Sequence, residues 1–512
     1  MGKFVNREAE LSLIDDAVQM LQSGQLSPRS PIIEFYGING IGKTTLLKQV
    51  EELCRARKIS FESKDVREVS ALDLAESTQR LLGEKKPVVV ILDSFDANSG
   101  KELGEFELKL RDLVFTYANL FVVLASKSAY RFDNTRSVTR KLEMHSLKPL
   151  EREYCLEYLD GFGQKRISDL RELIYEWTRG YPLAMDVIVD GILTQNLDPH
   201  VPQDQKMLVA MIADKVINQS LLVSIHSDPA KLAQFQKLLT ILSLPRSFNL
   251  VVMQELIERY APEYTLPSSL AYITQPNDIN KVADIISWNM QQSGYCIDSS
   301  IRNIFLLKIR IENPELYTEM NEYLMMMNRS FAVAIPGPDR VRYLREYLYH
   351  LAKSQEIGKD PELLIKELEQ LITKSPTDHF LRFYEEFWQD KDLRETLGNN
   401  AREVITFLRR RFFELYKQLP EDISRFEYLL SFLARTLPDA LVERANVSDS
   451  IAEKSFLILK PAIRQIMQEE TAGVYTKFYD VLSQDQTLNE SLGKDFERIL
   501  LLFGDSLQEK DR

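Results

Sequence analysis

The sequence predicts an α/β fold for its first 150 residues, a parallel sheet with helices on both faces, followed by mostly α-helical domains. Three observations carry this. Short apolar, β-branched runs alternate with helical patterns as far as about residue 150, which implies crossover helices on a parallel sheet. Beyond Pro149 strand patterns nearly vanish while helical periodicity continues. Gly (19) and Pro (20) are sparse in 512 residues, which excludes collagen-like, linker-rich and many-turned β chains.

In chain order, residues 7–21 repeat Leu11, Ile14, Val18 and Leu21 at helical spacing, with Asn6 as the expected N-cap. Strands are expected at 32–36, 59–66, 88–92, 120–125 and 142–147, and helices between them at 44–57, 71–82 and 102–117. The run Val88-Val89-Val90-Ile91-Leu92 has no polar alternation, the mark of a strand buried on both faces. Helices follow at 152–160, 168–179 and 183–193, with a break at 198–202. From 206 to 310 the pattern stays mostly helical, with a turn at 244–248, a loop at 264–281 and a β element at 294–297. Residues 311–512 read as helical almost throughout, broken at 336–338, 376, 398–400, 420, 438 and 461.

The formal net charge of −12 argues against nucleic acid as a partner, because that affinity rests on neutralising phosphates. It argues equally against an anionic membrane surface, and no apolar run approaches the ~20 residues that span a bilayer. The three cysteines, Cys54, Cys155 and Cys296, are far apart and form no disulfide framework, so a reducing, cytoplasmic compartment is expected. The five histidines share no metal-ligand spacing. Arg409-Arg410-Arg411 reads as a solvated helix face and Met325-Met326-Met327 as core filling.

The strongest chemical signal is Gly37-Ile38-Asn39-Gly40-Ile41-Gly42-Lys43-Thr44-Thr45, which fits GxxxxGK[ST] between a buried strand and a helix. Glycines let the backbone wrap phosphates with its N–H groups, and the helix N-terminus adds its positive end. Lys43 is expected to reach the outer phosphates and Thr44 to offer its hydroxyl to Mg²⁺. Asp93, at the end of an apolar strand expected beside the P-loop strand, is the second Mg²⁺ ligand expected. Asp96, three residues on, is the candidate to orient or deprotonate an attacking water. Lys127, at the tip of the fourth strand, is the candidate to face the γ-phosphate, with Arg131 as a lesser one.

These pieces together resemble the signal-transduction ATPases with numerous domains, the class that includes NB-ARC and NACHT proteins. Phe4-Val5-Asn6-Arg7-Glu8-Ala9-Glu10-Leu11 resembles their entry motif, which adds Arg7 to the nucleotide site. Residues 37–46 resemble their P-loop, Leu92-Asp93-Ser94-Phe95-Asp96 their second motif, and 147–150 the turn closing their nucleotide-binding domain. Arg179-Gly180-Tyr181-Pro182-Leu183-Ala184 resembles their GxP motif, which implies that Pro182 packs against the nucleotide. Residues 242–256 and 293–302 resemble the winged helix that follows in NB-ARC members. The sequence departs from that family twice: Lys127 stands where Arg is usual, and Asp298 where a His meets ADP. An Asp would repel the phosphate, so Asp298 is expected to turn away and orient Arg302, whose guanidinium takes the contact.

The domains expected are a P-loop nucleotide-binding domain (1–150), a helical domain with the GxP motif (151–205), a winged-helix-like domain (206–310) and a helical sensor or partner-docking domain (311–512). The resemblance implies an ATP/ADP-dependent switch using Mg²⁺, in which slow ATP hydrolysis controls domain rearrangement and oligomerisation in signalling or defence. A DNA-binding regulator using the winged helix, and a scaffold with a structural nucleotide, are the alternatives.

Overall fold

The computed structural model describes residues 4–418, apart from 24–29, 84–85, 97–99, 131, 133–135, 291, 336–338, 355–360, 373–376 and 399. Arg131, the breaks at 336–338, 376, 420, 438 and 461, and the last part of the expected C-terminal domain therefore lie outside the described residues. The chain divides into a unit of residues 1–314 and a second beginning at Glu315.

The first unit opens with α1 (Glu8–Gln22). A parallel sheet follows, with β1 (Ile32–Tyr36), α2 (Lys43–Arg57), β2 (Ser60–Asp65), α3 (Ala71–Leu82), β3 (Val88–Asp93), α4 (Gly100–Thr116), β4 (Leu120–Ser126), the short α5 (Arg136–Thr139) and β5 (Leu142–Ser146). The five strands lie in the order β2-β3-β4-β1-β5. The acid-bearing β3 is thus not beside the P-loop strand β1, as the sequence reading expected: β4 lies between them, with Leu92 level with Leu124 and Glu34 level with the same residue. Sequence order carries no information on which buried strand is central. Both are continuous apolar runs because both are covered on two faces.

Alternation along each strand divides the core. Ile32, Val88, Val90, Leu92, Val122 and Leu124 pack with Leu74 of α3 and Phe106, Leu110 and Leu113 of α4. The N-cap of α1 is Arg7, with no side-chain cap, and Asn6 instead takes a left-handed φ of 55°. Asn tolerates that region, so the same residue type that suits a cap also suits the turn before it.

The helical layer continues through α6 (Arg152–Asp160), α7 (Lys165–Thr178), α8 (Pro182–Thr194) and α9 (Pro202–Ile212), which runs into a π-helical segment at Ala213–Leu221. Then come α10 (Pro229–Leu242), α11 (Leu250–Tyr260), α12 (Gln275–Asn280), the hairpin β6 (Ile286–Asn289) and β7 (Gly294–Ile297), and α13 (Ser299–Glu312). Phe248 pairs with Tyr295 as a one-residue third strand of that hairpin. The expected loop at 264–281 is instead a 3₁₀ turn at Ser269–Ile273 followed by α12. Pro276 sits in the first turn of α12, where its missing N–H costs nothing, so it opens a helix rather than breaking one.

The second unit is helical where described: α14 (Pro314–Ala334), α15 (Asp339–Lys353), α16 (Pro361–Ile372), α17 (Thr377–Gln389), α18 (Lys391–Leu397) and α19 (Asn400–Gln418). Its core joins Leu348 and Leu351 of α15 to Leu364, Leu368, Phe383, Phe387 and Val404. Met325 packs against that core, as expected, whereas Met326 is exposed. No helix among the described residues is long and apolar enough to cross a membrane.

Candidate nucleotide-binding site

The loop from β1 to α2 folds as its glycines require. Gly40 (φ +79°) and Gly42 (φ +104°) hold conformations that side chains resist. Space above Gly42 is open, with nothing within 4 Å of where a Cβ would stand. Lys43 opens α2, and its Nζ donates to the carbonyls of Gly37 (2.6 Å) and Ile38 (3.1 Å). Burial pulls its pKa down to about 8, against the pull of Asp96 and Asp93, while Lys127 adds to the fall. That mutual influence gathers Lys43, Asp93, Asp96 and Lys127 in one place, from the P-loop and the tips of β3 and β4.

Thr44 Oγ1 donates to Asp93 Oδ2 at 2.6 Å, so the two expected Mg²⁺ ligands touch despite the strand between β1 and β3. Among the described residues no three His, Cys, Asp or Glu side chains cluster as a metal cage. A hydroxyl, one carboxylate and phosphate oxygens suit Mg²⁺, which keeps much of its shell from substrate and water. Asp96 Oδ2 accepts from the backbone N–H of Lys127 at 2.8 Å, which fixes the carboxylate beside the β4 tip.

The later helices grip this loop directly. Tyr181 donates its hydroxyl to the Asn39 carbonyl, and Leu183 N donates to the Gly40 carbonyl at 3.3 Å. Asn39 Nδ2 donates to the Ser220 carbonyl (3.3 Å) at the end of the π-helical segment. Pro182 lies between the two residues that touch the loop and opens α8 at its first turn. Gly180 (φ +77°) makes this docking feasible: its carbonyl accepts from Leu150 N at 2.9 Å, and a Cβ there would lie 1.9 Å from the Leu150 oxygen.

Two expectations meet different geometry. Arg302 is buried, and its guanidinium donates to the carbonyls of Pro245 (3.2 Å) and Leu244 (3.0 Å). It ties α13 to the turn after α10, and those bonds compete with the phosphate role expected of it. Asp298 caps α13, accepting from Ser300 N (3.0 Å) and Ile301 N (3.3 Å), rather than serving chiefly to aim Arg302. Burial pushes its pKa up, while those N–H groups and nearby Lys148 pull it down. Arg7 is buried and donates to the Lys148 carbonyl at 2.7 Å, pinning the entry segment to the turn after β5.

Lys127 Nζ donates to the carbonyl of Ala283, at 2.9 Å, between α12 and β6. Nothing in the sequence points to this partner. Ala283 is buried, and the Asn280 side chain clasps the turn around it, accepting from Ile285 N (3.1 Å) and Ile286 N (2.8 Å). Asp284, with a left-handed φ of 49°, closes the turn. Nor do the P-loop contacts of Tyr181 and Ser220 follow from sequence, apart from the place of Tyr181 inside the GxP-like stretch.

Residues 33–145 match the family described as ATPase family associated with various cellular activities (AAA), which covers the sheet from β1 to β5. That segment is a P-loop ATPase domain, the class whose ligand is a nucleotide. No curated protein matches. Solved structures with similarity include Cdc6p from Pyrobaculum aerophilum, at 15% identity over 61% of this chain and 96% of that one, with a TM-score of 0.32. The ORC1 protein of Aeropyrum pernix in complex with DNA is 14% identical over 62% of this chain and 94% of that one (TM-score 0.32). AMPPCP-bound DnaA from Aquifex aeolicus is 17% identical over 55% of this chain and 91% of that one (TM-score 0.30). The family match reaches as far as a P-loop ATPase domain and does not single out the signal-transduction class that the motifs resemble.

Proposed function

We propose that this chain is an ATP/ADP-dependent molecular switch of the signal-transduction ATPase kind, with slow ATP hydrolysis controlling how its helical domains sit on the nucleotide site. The observation that carries this reading is the shared hydrogen bonding of the P-loop and β4 tip with later elements: Tyr181 to Asn39, Leu183 to Gly40, Asn39 to Ser220 and Lys127 to Ala283. A ligand that repositions these groups acts on the later helices through the same atoms. It shifts the arrangement only as far as it binds one state better than the other.

Bound nucleotide would be cradled by the N–H groups of residues 37–45, with Lys43 on the outer phosphates and Thr44 and Asp93 holding Mg²⁺, which supplies charge neutralisation. Asp96 is suited to orient the attacking water. With ATP bound, Lys127 would have two acceptors, the γ-phosphate and the Ala283 carbonyl it now holds, and satisfying the first would loosen its hold on the second. Pro182 would pack against the nucleotide and Arg7 would contribute to its site, as the resemblance implies. In this reading residues 151–205 and 206–310 are the moving domains and the helices after 311 sense or dock a partner, with oligomerisation in signalling or defence as the output and the cytoplasm as its place.

The test is particle mass and radius of gyration of the full chain loaded with ADP and then exchanged to a non-hydrolysable ATP analogue. The switch predicts expansion or assembly on exchange. Identical mass and radius in both states would leave only a scaffold with a structural nucleotide.

A further inference from the structure

Glu34 interrupts the apolar strand Ile32-Ile33-Glu34-Phe35-Tyr36 and is fully buried. Alternation puts it on the face of Ile32, level with Leu124 of β4. Its Oε1 meets both the Ser126 hydroxyl and the backbone N–H of Tyr130 (2.9 Å), while Oε2 is buried without a hydrogen-bond partner. Ser126 Oγ also lies 2.9 Å from the Ser128 carbonyl.

Counting hydrogens favours the protonated acid. The Ser126 hydroxyl owns one hydrogen and faces two oxygens, and the Ser128 carbonyl can only accept. Both contacts are hydrogen bonds only when the Glu34 carboxyl supplies the second hydrogen. The chain then runs from Tyr130 N–H to Glu34 Oε1, from Glu34 O–H to Ser126 Oγ, and from Ser126 O–H to Ser128 O.

The surroundings agree. Burial raises the acid's pKa most and Asp96 raises it further, against the bonds that Ser126 and Tyr130 would donate to the ionised carboxylate. Among the described residues no cation acts on it: the Tyr130 hydroxyl donates to Glu107 of α4, and His145 of β5 lies against Phe35, on the opposite face. Ser126 ends β4. Its carbonyl accepts from Gly37 N (3.2 Å) at the start of the P-loop, and Lys127 comes next.

We propose that Glu34 carries a proton at neutral pH and, through Ser126, is the positioning residue that registers the β4 tip, and with it Lys127, against the P-loop. Its functional consequence rests on the γ-phosphate role given to Lys127; the protonation does not. Ionised, Glu34 and the Ser128 carbonyl would compete for one hydroxyl hydrogen, and the tip would lose a tie.

The experiment compares the full chain with its Glu34→Gln variant by urea unfolding across pH and by infrared difference spectroscopy. In the unfolded chain a glutamate titrates near ~4.3, so unfolding releases this proton. The wild-type unfolding constant, relative to that of Glu34→Gln, therefore rises about tenfold per pH unit above that value until the folded acid ionises. The difference spectrum at neutral pH shows the C=O stretch of a protonated acid. A ratio flat with pH, or carboxylate bands in place of that stretch, overturns the proposal. Should Glu34→Gln not fold, Ser126→Ala removes the acid's acceptor and moves the same stretch to higher frequency, and an unmoved stretch overturns it equally. The ratio of ATP to ADP affinity reads the positioning: Glu34→Ala changes it by about tenfold or more, the scale of one charge-assisted hydrogen bond, and Glu34→Gln by less. An unchanged ratio in Glu34→Ala overturns the positioning role. If Lys127→Met leaves the ratio unchanged too, the γ-phosphate role of Lys127 falls with it.

Discussion

Replacing Gly180 by alanine tests whether the α7–α8 junction is what docks the later helices on the P-loop. The new Cβ would stand 1.9 Å from the Leu150 carbonyl oxygen and 3.1 Å from its nitrogen, both backbone atoms that cannot rotate aside. Alanine at a left-handed φ costs about 1–2 kcal/mol. Separating the strands of the turn also breaks the Leu150 N–H bond to the Gly180 carbonyl, about 0.5–1.5 kcal/mol more. The expected destabilisation is therefore about 1.5–3.5 kcal/mol. Gly163→Ala is the control: its φ is +66° but nothing lies within 4 Å of the added Cβ, so only the conformational cost of about 1–2 kcal/mol applies. Urea unfolding measures both costs, and amide hydrogen exchange at residues 37–42 reports on the docking. Gly180→Ala should speed exchange there, because it carries Tyr181 and Leu183 off Asn39 and Gly40, while Gly163→Ala should not. Equal stability losses with unchanged P-loop exchange in both variants would refute the reasoning.

Asp93→Asn should remove most of the Mg²⁺ dependence of nucleotide binding, whereas Asp96→Asn should keep binding and slow hydrolysis by ~10²–10⁴-fold, as read by single-turnover assays. Lys43, drawn down to about 8 by burial, is charged below that pH and loses its charge above it. Phosphate favours the charged form, so affinity should be level below about pH 8, fall above it, and binding near pH 8 should take up protons, measurable by calorimetry in buffers of different ionisation enthalpy. Removing residues after about 330 should preserve nucleotide binding while abolishing the response to an activator; loss of binding in a folded truncation would mean that the second unit completes the site.

Much of the site was legible because local chemistry dictates it. The glycine spacing, the Lys-Thr pair and the acid ending a β-branched run are local patterns, and the structure brings Lys43, Thr44, Asp93, Asp96 and Lys127 together. Helix and strand positions to residue 194 were legible from periodicity for the same reason. What stayed hidden depends on long-range pairing. The order of strands, the Ala283 partner of Lys127 and the Ser220 partner of Asn39 join residues far apart in sequence. Arg302 shows the same dependence: its guanidinium donates to the carbonyls of Leu244 and Pro245, acceptors more than fifty residues away in sequence that compete with the phosphate contact expected of it. Glu34 left a trace, a lone acid in an apolar strand, whose meaning needed its neighbours.

The central claim is that residues 37–45 bind a nucleotide through Lys43. Calorimetric titration of the full chain with ADP and ATP in the presence of Mg²⁺, beside Lys43→Ala, tests it most directly. Charge-assisted contacts to phosphate are worth about 1.5–3 kcal/mol each, so the variant should bind ~10- to 150-fold more weakly while remaining folded. Equal affinity in the two proteins, with the fold of the variant intact, would contradict the account.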